Sequence, residues 1–283
     1  RSVLSALVLT GLEPIWLTPD IDEATGVPTG IPVSELERVL DQKPIALLLT
    51  EPGYLGTISE LPALISKAHE NSIPVIIDAA WGGHFGFNAN IPQHVMQLGA
   101  DALITSVHKA LPGYSASALL LAQGKFLNLA RIEQSFETTH TTSPAGAPLA
   151  SIDGCRALLQ TRGSELTGEL VSLVSTFKTS VQANFDSKIF LNAFDFPHNR
   201  FDPVKIVLRA NILGLSGVDV EKELQKANIR VEMADQDAIV FLATLADTAE
   251  DFTALENALV PILQKLQGPT RQTQTSLSWS VVP

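Results

Sequence analysis

The sequence contains a single cysteine, Cys155, among 283 residues. A lone cysteine cannot form a disulfide within the chain, which fits a protein of a reducing compartment. Basic residues are also scarce, since 19 lysines and arginines face 30 aspartates and glutamates and the formal net charge is −11. An acidic chain without a basic block is a poor partner for nucleic acid or an anionic membrane. We therefore expect a cytoplasmic protein that binds neither.

Long apolar runs and the common metal and nucleotide motifs are missing as well. The apolar stretches at 45–49 and 118–122 fall far short of the roughly 18 residues that a membrane-spanning helix needs. The six histidines form no His-x-x-x-His pair, and one cysteine excludes a Cys-x-x-Cys motif, so no metal site is predicted. Neither a glycine-rich phosphate motif nor a Gly-x-Ser-x-Gly motif occurs, so nucleotide binding and acyl transfer lack their usual residues.

The residues that are present indicate a globular α/β protein. Hydrophobic residues make up 45% of the chain and charged residues only 17%. Short apolar runs alternate with amphipathic stretches, which is typical of strands joined by crossover helices. The runs lack polar alternation, so helices should cover both faces of a mostly parallel sheet. Strands are predicted at 45–49, 74–78, 102–106 and 117–121, with helices at 58–71 and 163–182.

Turn-forming residues between 192 and 203 predict a domain boundary. We expect a large domain at 1–195, a smaller α+β domain at 196–267, and a polar linker or tail at 268–283. The first ten residues are predicted to form a buried helix. In the smaller domain, Ser216 is the predicted N-cap of a helix, with Asp219 at the spacing of a capping box. The elements expected there are strands at 204–209, 229–233 and 238–243 and helices at 217–227 and 249–266.

Two reactive side chains follow predicted strands at their carboxyl ends, where the ligand sites of open α/β sheets collect. Asp78 ends one strand, although an aspartate there could equally cap a turn or helix. Lys109 follows the next strand, together with Ser106 and His108. Most loop lysines are solvated, but a desolvated lysine loses its proton easily and becomes a nucleophile. A lysine that binds the cofactor covalently and an aspartate that holds its pyridine nitrogen are the pair that a pyridoxal-phosphate enzyme requires.

The spacing of these two residues is compatible with such a pair. The 31 positions from Asp78 to Lys109 allow one helix and one return strand. A right-handed crossover of that kind brings both side chains to the same edge of the sheet.

Several segments resemble, in the same order, those of the Orn/Lys/Arg decarboxylases, pyridoxal-phosphate enzymes with the fold of aspartate aminotransferase. They are Asp78-Ala-Ala-Trp-Gly82 with His84, then Ser106-Val-His-Lys-Ala-Leu-Pro112, then Thr141-Thr-Ser-Pro144 leading into residues 150–153. Residues 202–205 and 231–233 resemble later blocks of the family, so the resemblance covers nearly the whole chain. It implies fold type I, with a mostly parallel sheet and a smaller α+β domain.

The resemblance also implies roles for individual residues. Lys109 is similar to the lysine that binds pyridoxal phosphate, and Asp78 to the carboxylate paired with the pyridine nitrogen. Ala80 is similar to the small residue packed on the cofactor ring. Ser106 and His108 resemble the contacts of the cofactor phosphate.

Thr142 and Ser143 correspond to positions that the family brings toward the active site near the dimer interface. The family further implies a homodimer or higher homo-oligomer, and decarboxylation of a cationic amino acid to an amine and carbon dioxide, as in polyamine biosynthesis. Arginine is the expected substrate, with lysine and ornithine as close alternatives. Another reaction of the same cofactor, such as transamination or β-elimination, is the main rival. A non-catalytic paralogue that keeps the fold for dimerisation is a second.

The sequence departs from the family pattern in two respects. Many members have Asp-Glu-Ala-His where residues 78–81 read Asp-Ala-Ala-Trp, which changes the neighbours that shape the pocket. The family's upstream phosphate loop and ring-stacking residue precede the first residue given, so we expect the chain to be an internal fragment. His84 is expected either to contact a ligand or to bond to backbone.

Overall fold

The computed structural model describes residues 2–124 and 126–269. The elements up to the end of the larger sheet are α1 (Ser2–Thr10), β1 (Asp20–Ile21), β2 (Pro28–Gly30), α2 (Val33–Val39), β3 (Leu47–Thr50), α3 (Leu61–Glu70), β4 (Val75–Asp78), β5 (Ala102–Ser106) and β6 (Ala118–Ala122). They are followed by α4 (Leu129–Thr139), α5 (Gly146–Gln182), β7 (Ile206–Arg209), α6 (Gly217–Lys226), β8 (Met233–Ala234), β9 (Ala238–Phe241) and α7 (Ala249–Leu266). None of the described helices is long and apolar enough to cross a membrane.

The larger sheet has the strand order β3-β4-β5-β6. The first three strands are parallel, whereas β6 runs antiparallel to β5. All four predicted strands are therefore present, in a mixed but mostly parallel sheet. Alternate residues of β3 and β4, such as Leu47 and Val75, are buried with α2 and α3 in one hydrophobic core. On the opposite face Leu48 and Ile104 are exposed in the described chain, so the expected helix cover is seen on one face.

The amino-terminal helix corrects one expectation. Residues 2–10 are helical, as predicted, but α1 has no buried residue, and Val8 and Leu9 are among its exposed apolar side chains. Apolar composition indicates that a helix favours burial, but it does not say which surface covers that helix. The prediction of a buried helix is therefore wrong for the described part of the chain.

The long helix α5 begins much earlier than predicted, at Gly146 rather than near Gly163. Gly154 and Gly163 interrupt the apolar periodicity, which hides the first turns in the sequence. The second half of α5 contributes Leu170, Val174 and Phe177 to the core of the carboxyl-terminal half of the chain. The core of that half therefore includes residues that precede position 196. The domain limits stay a prediction.

A small antiparallel sheet of order β7-β9-β8 shares a hydrophobic core with α5, α6 and α7. The expected strand at 229–233 is wrong apart from Met233, since β8 is only two residues long. Ser216 is the N-cap of α6, but its side chain makes no capping bond, and Asp219 pairs with Lys222 instead. Of the predicted tail, residues 270–283 lie outside the described residues.

The core of the small sheet offers a stability test. Ile239 is fully buried in β9, whereas Ile45 is 72% exposed. We expect Ile239→Ala to lower the free energy of unfolding by about 2–4 kcal/mol, because it removes buried methyl groups and leaves a cavity. Ile45→Ala should change it by less than about 0.5 kcal/mol. Urea titration of both variants checks this, and equal effects would contradict the assigned core.

Candidate active site

Asp78 is the last residue of β4 and lies at the carboxyl edge of the sheet. It is in register with Thr50 of β3 and Ile104 of β5, so both neighbouring strands end close to it. Its Oδ1 accepts a hydrogen bond of 3.1 Å from the backbone N–H of Ala80, and its side chain is half-buried. A short local bond of this kind holds the carboxylate at the strand end and leaves capacity for a further donor.

The loop after Asp78 is tied to the loop that carries Lys109. Thr105 Oγ1, on β5, donates to the carbonyl oxygen of Ala79 at 3.0 Å. Gly83 lies so close to the same strand that a Cβ there would be 3.1 Å from the carbonyl oxygen of Ser106 and 3.2 Å from Thr105 Oγ1. Glycine therefore permits this close approach of the two loops.

Lys109 projects onto the loop that follows Asp78. Its Nζ lies 4.3 Å from the ring centroid of Trp81, which is three residues beyond Asp78. This is within the range of a cation–π interaction. The structure thus brings the predicted lysine against the segment that carries the predicted aspartate.

Ser106 and His108 flank the same position. Ser106 ends β5 and is half-buried. His108 Nδ1 lies 2.8 Å from the carbonyl oxygen of Ser117, and since a carbonyl only accepts, Nδ1 carries the proton of this bond. His108 therefore has only Nε2 left for a ligand, and it acts as a donor there when the ring is cationic.

Thr142 and Ser143 lie apart from this group. Both are exposed, in the turn between α4 and α5. Ser143 N–H bonds to Thr141 Oγ1 at 3.2 Å, and in the described part of the chain no hydrogen bond joins Thr142 or Ser143 to Lys109 or Asp78. Their expected place near a dimer interface stays a prediction.

Three further residues complete the site: Tyr54, which the sequence analysis did not single out, and Lys205 and Glu232, which lie in the later family-like blocks but had no role assigned. Lys205 Nζ lies 3.8 Å from the ring centroid of Trp81 and 5.4 Å from that of Tyr54. The Tyr54 ring meets Trp81 edge-on at 5.5 Å, and its hydroxyl donates to Glu232 Oε1 at 3.0 Å. These residues come from distant segments, so no local spacing could group them.

Burial perturbs two groups of this cluster. Burial lowers the pKa of the Lys205 ammonium to about 8. The positive charge of Lys109 also lowers this pKa, whereas the negative charges of Asp202 and Glu232 raise it. Burial, together with the hydrogen bond to Glu232, raises the pKa of Tyr54 to about 12. Tyr54 is therefore a stable hydrogen-bond donor at neutral pH.

His84 joins the two halves of the chain. Its Nε2 lies 3.1 Å from Oδ1 of Asp202, and both side chains are almost completely buried. The same Asp202 oxygen accepts from the Val204 N–H at 3.1 Å. The partner of His84 is thus a carboxylate of the second half rather than backbone, and its Nδ1 is a buried atom without a hydrogen bond.

The buried carboxyl group of Glu51, which directly follows β3, should make the stability of the protein depend on pH. It is 3% exposed, and burial raises its pKa to about 7 despite bonds to Ser59 and the charge of Arg200. A carboxyl with a raised pKa binds its proton more tightly in the folded state, so it destabilises the fold as pH rises from about 4.5 to 7. We expect Glu51→Gln to stabilise the protein by roughly 2–3 kcal/mol near pH 8 and hardly at all near pH 4.

Unfolding titrations at the two pH values test this prediction. Glutamine keeps an oxygen that can accept the 3.0 Å bond from the Ser59 N–H. Glu13→Gln, at an exposed carboxylate elsewhere in the chain, is the control. A gain from Glu51→Gln of equal size at both pH values would contradict the buried charge.

The donor set fits pyridoxal phosphate. It offers a primary amine at Lys109 for an aldehyde, a carboxylate at Asp78 for a pyridine nitrogen, and the methyl group of Ala80 beside it. The part of the chain that the structure describes holds no group of three or more His, Cys, Asp or Glu side chains able to bind a metal ion.

Known proteins resemble this chain in sequence and in fold. A family model described as the major domain of Orn/Lys/Arg decarboxylases matches residues 1–198. The arginine decarboxylase of Bacillus subtilis is 32% identical over 292 residues, covering all of this chain and 59% of its own length.

Solved structures agree at lower identity. Lysine decarboxylase A of Pseudomonas aeruginosa superposes with a TM-score of 0.79 at 19% identity, over 93% of this chain and 44% of that one. A ureidoglycine–glyoxylate aminotransferase of Bacillus subtilis gives 0.64 at 14% identity, over 87% of this chain and 68% of that one. These likenesses confirm the predicted fold type I. The chain spans about 59% of the length of the curated arginine decarboxylase that it matches.

Proposed function

Since this chain belongs to the Orn/Lys/Arg decarboxylase family, we propose that the protein removes the carboxylate of a cationic amino acid as carbon dioxide, with pyridoxal phosphate as its cofactor. The observation that carries the proposal is the placement of Lys109 Nζ on Trp81, beside the strand end that bears Asp78. Arginine is the proposed substrate, supported by the name of the Bacillus subtilis relative.

Each residue of the site has a proposed task toward the cofactor. Lys109 would hold the cofactor covalently through Nζ, at the position where the amino group of the substrate would bind. Asp78, held by the Ala80 N–H, accepts a charge-assisted hydrogen bond from the pyridine nitrogen and keeps that nitrogen protonated. Ser106 and His108 contact the phosphate. When bound, pyridoxal phosphate supplies an electron sink for the bond between Cα and the carboxylate.

Product analysis tests this function. The full-length protein is purified with pyridoxal phosphate and incubated with arginine, lysine or ornithine labelled in the carboxyl carbon. We expect labelled carbon dioxide and the matching amine, fastest with arginine. A keto acid in place of carbon dioxide would assign a transamination, and a protein that holds the cofactor but releases no product would favour the non-catalytic paralogue.

We also propose a cytoplasmic homodimer or larger homo-oligomer, with Thr142 and Ser143 close to the interface. Exposed apolar side chains support it, among them Leu119, Leu120 and Leu121 on β6 and Phe136 on α4. Exposed apolar side chains that cluster on a surface mark association sites. Light scattering of the full-length protein should give at least twice the mass of one chain, and a monomer at micromolar concentration would contradict the proposal.

A further inference from the structure

Lys205 is a second lysine of the site, and the surrounding backbone leaves room for its side chain. It comes directly before β7, and its backbone N–H bonds to the carbonyl oxygen of Asp202 at 3.0 Å. Its side chain runs across Gly56, where an added Cβ would lie 2.9 Å from both Cβ and Cγ of Lys205. Gly56 also has a φ of +100°, so the backbone conformation and the close approach both require glycine there.

The position of the Lys205 stem is fixed from both halves of the chain. The Asp202 N–H donates to the carbonyl oxygen of Gly56 at 2.8 Å, and Thr57 bridges to Phe201. Asp202 is itself fixed by buried His84. The ammonium is therefore carried into the site by a rigid segment rather than by a mobile surface loop.

Among the described residues, the Lys205 ammonium has no directly bonded partner of opposite charge. Lys205 is 5% exposed, and within residues 2–124 and 126–269 its Nζ makes no hydrogen bond and no ion pair. The carboxylates that act on it at longer range, Asp202 and Glu232, already accept bonds from His84 and Tyr54. Lys205 Nζ is not among the fully buried atoms without a hydrogen bond, so it keeps some contact with solvent and can be reached by a ligand. A largely desolvated ammonium without a bonded counter-ion is costly, so this arrangement favours an anion there.

Two ammonium groups share the Trp81 ring. Lys109 Nζ lies 4.3 Å and Lys205 Nζ 3.8 Å from its centroid. The distance between the two nitrogen atoms therefore cannot exceed the sum of these two distances. The anion that Lys205 lacks must therefore arrive close to Lys109.

We propose that Lys205 binds the α-carboxylate of the amino-acid substrate. This inference rests on the proposed function. The amino group of the substrate would replace the Lys109 amine at the cofactor, and the α-carboxylate is attached to the same carbon as that amino group. The carboxylate is thus the anion that substrate binding brings next to Lys109. The cofactor phosphate, for which Ser106 and His108 are proposed, is the alternative that the experiment separates.

Calorimetry with two arginine analogues tests the assignment in the cofactor-loaded full-length protein. Desamino-arginine keeps the carboxylate but cannot be decarboxylated through the cofactor, and agmatine keeps the amine but lacks the carboxylate. We expect Lys205→Met to weaken desamino-arginine binding roughly 10- to 100-fold, the loss of one charge-assisted bond, and to change agmatine binding less than about twofold. Lys205→Arg should restore part of the carboxylate affinity, and Lys188→Met, at an exposed lysine outside the site, should change neither.

Every other outcome separates the possibilities. Equal weakening of both analogues would show that Lys205 only shapes the site, and loss of bound cofactor absorbance would assign it to the phosphate. Unchanged binding of both would also overturn the proposal. A wild-type protein that binds no pyridoxal phosphate would refute the proposed function itself. If the wild-type protein binds the cofactor and both analogues, a negative result with the Lys205 variants refutes only the role proposed for Lys205. Thermal unfolding of each variant identifies any loss of fold.

Discussion

Replacing Lys109 with alanine is expected to abolish decarboxylation, with a loss of at least about 10³-fold in turnover. Alanine has no amine to bind the cofactor aldehyde or to displace the product. Lys109→Arg should fail equally, because it keeps the positive charge against Trp81 but cannot form the covalent bond. Turnover and the absorbance of bound cofactor are the measurements for both variants.

The matched control for this prediction is Lys188→Ala, which removes an exposed lysine that is not part of the site. It should retain wild-type turnover and absorbance. If Lys109→Ala were to keep a covalently bound cofactor, the lysine would have been assigned wrongly and Lys205 would be the next candidate.

Replacing Asp78 with alanine is expected to leave the protein folded and to lower turnover by about 10²-fold or more, as for other preorganised electrostatic contacts. The carboxylate is half-buried at a strand end and, among the described residues, makes one hydrogen bond, to the Ala80 N–H, so the fold depends on it little. Asp78→Asn retains an acceptor for that bond but not the charge. We expect it to lose nearly as much turnover, because the charge is what keeps the pyridine nitrogen protonated.

Steady-state kinetics and thermal unfolding together check the role of Asp78. Asp153→Ala, at an exposed carboxylate of α5, should match the wild type in both. Near-normal turnover of Asp78→Ala would remove Asp78 from the mechanism, and unfolding of both Asp78 variants would reduce it to the turn cap that its sequence position also allows.

The sequence predicted what depends on local pattern. The strand at 102–106 and the helix at 249–266 have the bounds expected from their apolar periodicity. The placement of Asp78 and Lys109 followed from the rule that ligand sites of open sheets collect at the carboxyl ends of strands. That rule needs only the order of strands and turns.

What the sequence could not predict depends on contacts between distant segments. The cluster of Tyr54, Trp81, Lys205 and Glu232 forms only when the two halves of the chain pack together. His84 illustrates the same limit, since its partner Asp202 lies 118 residues away along the chain. The antiparallel direction of β6 could not be predicted either, because the same apolar run is compatible with parallel and with antiparallel pairing.

The most direct test of this account is to locate the cofactor on the chain. The full-length protein is loaded with pyridoxal phosphate, reduced with borohydride, digested, and examined by mass spectrometry. We predict one modified peptide, with the pyridoxyl group on Lys109. A pyridoxyl group on Lys205 or on any other lysine, or none at all, would contradict the site described above.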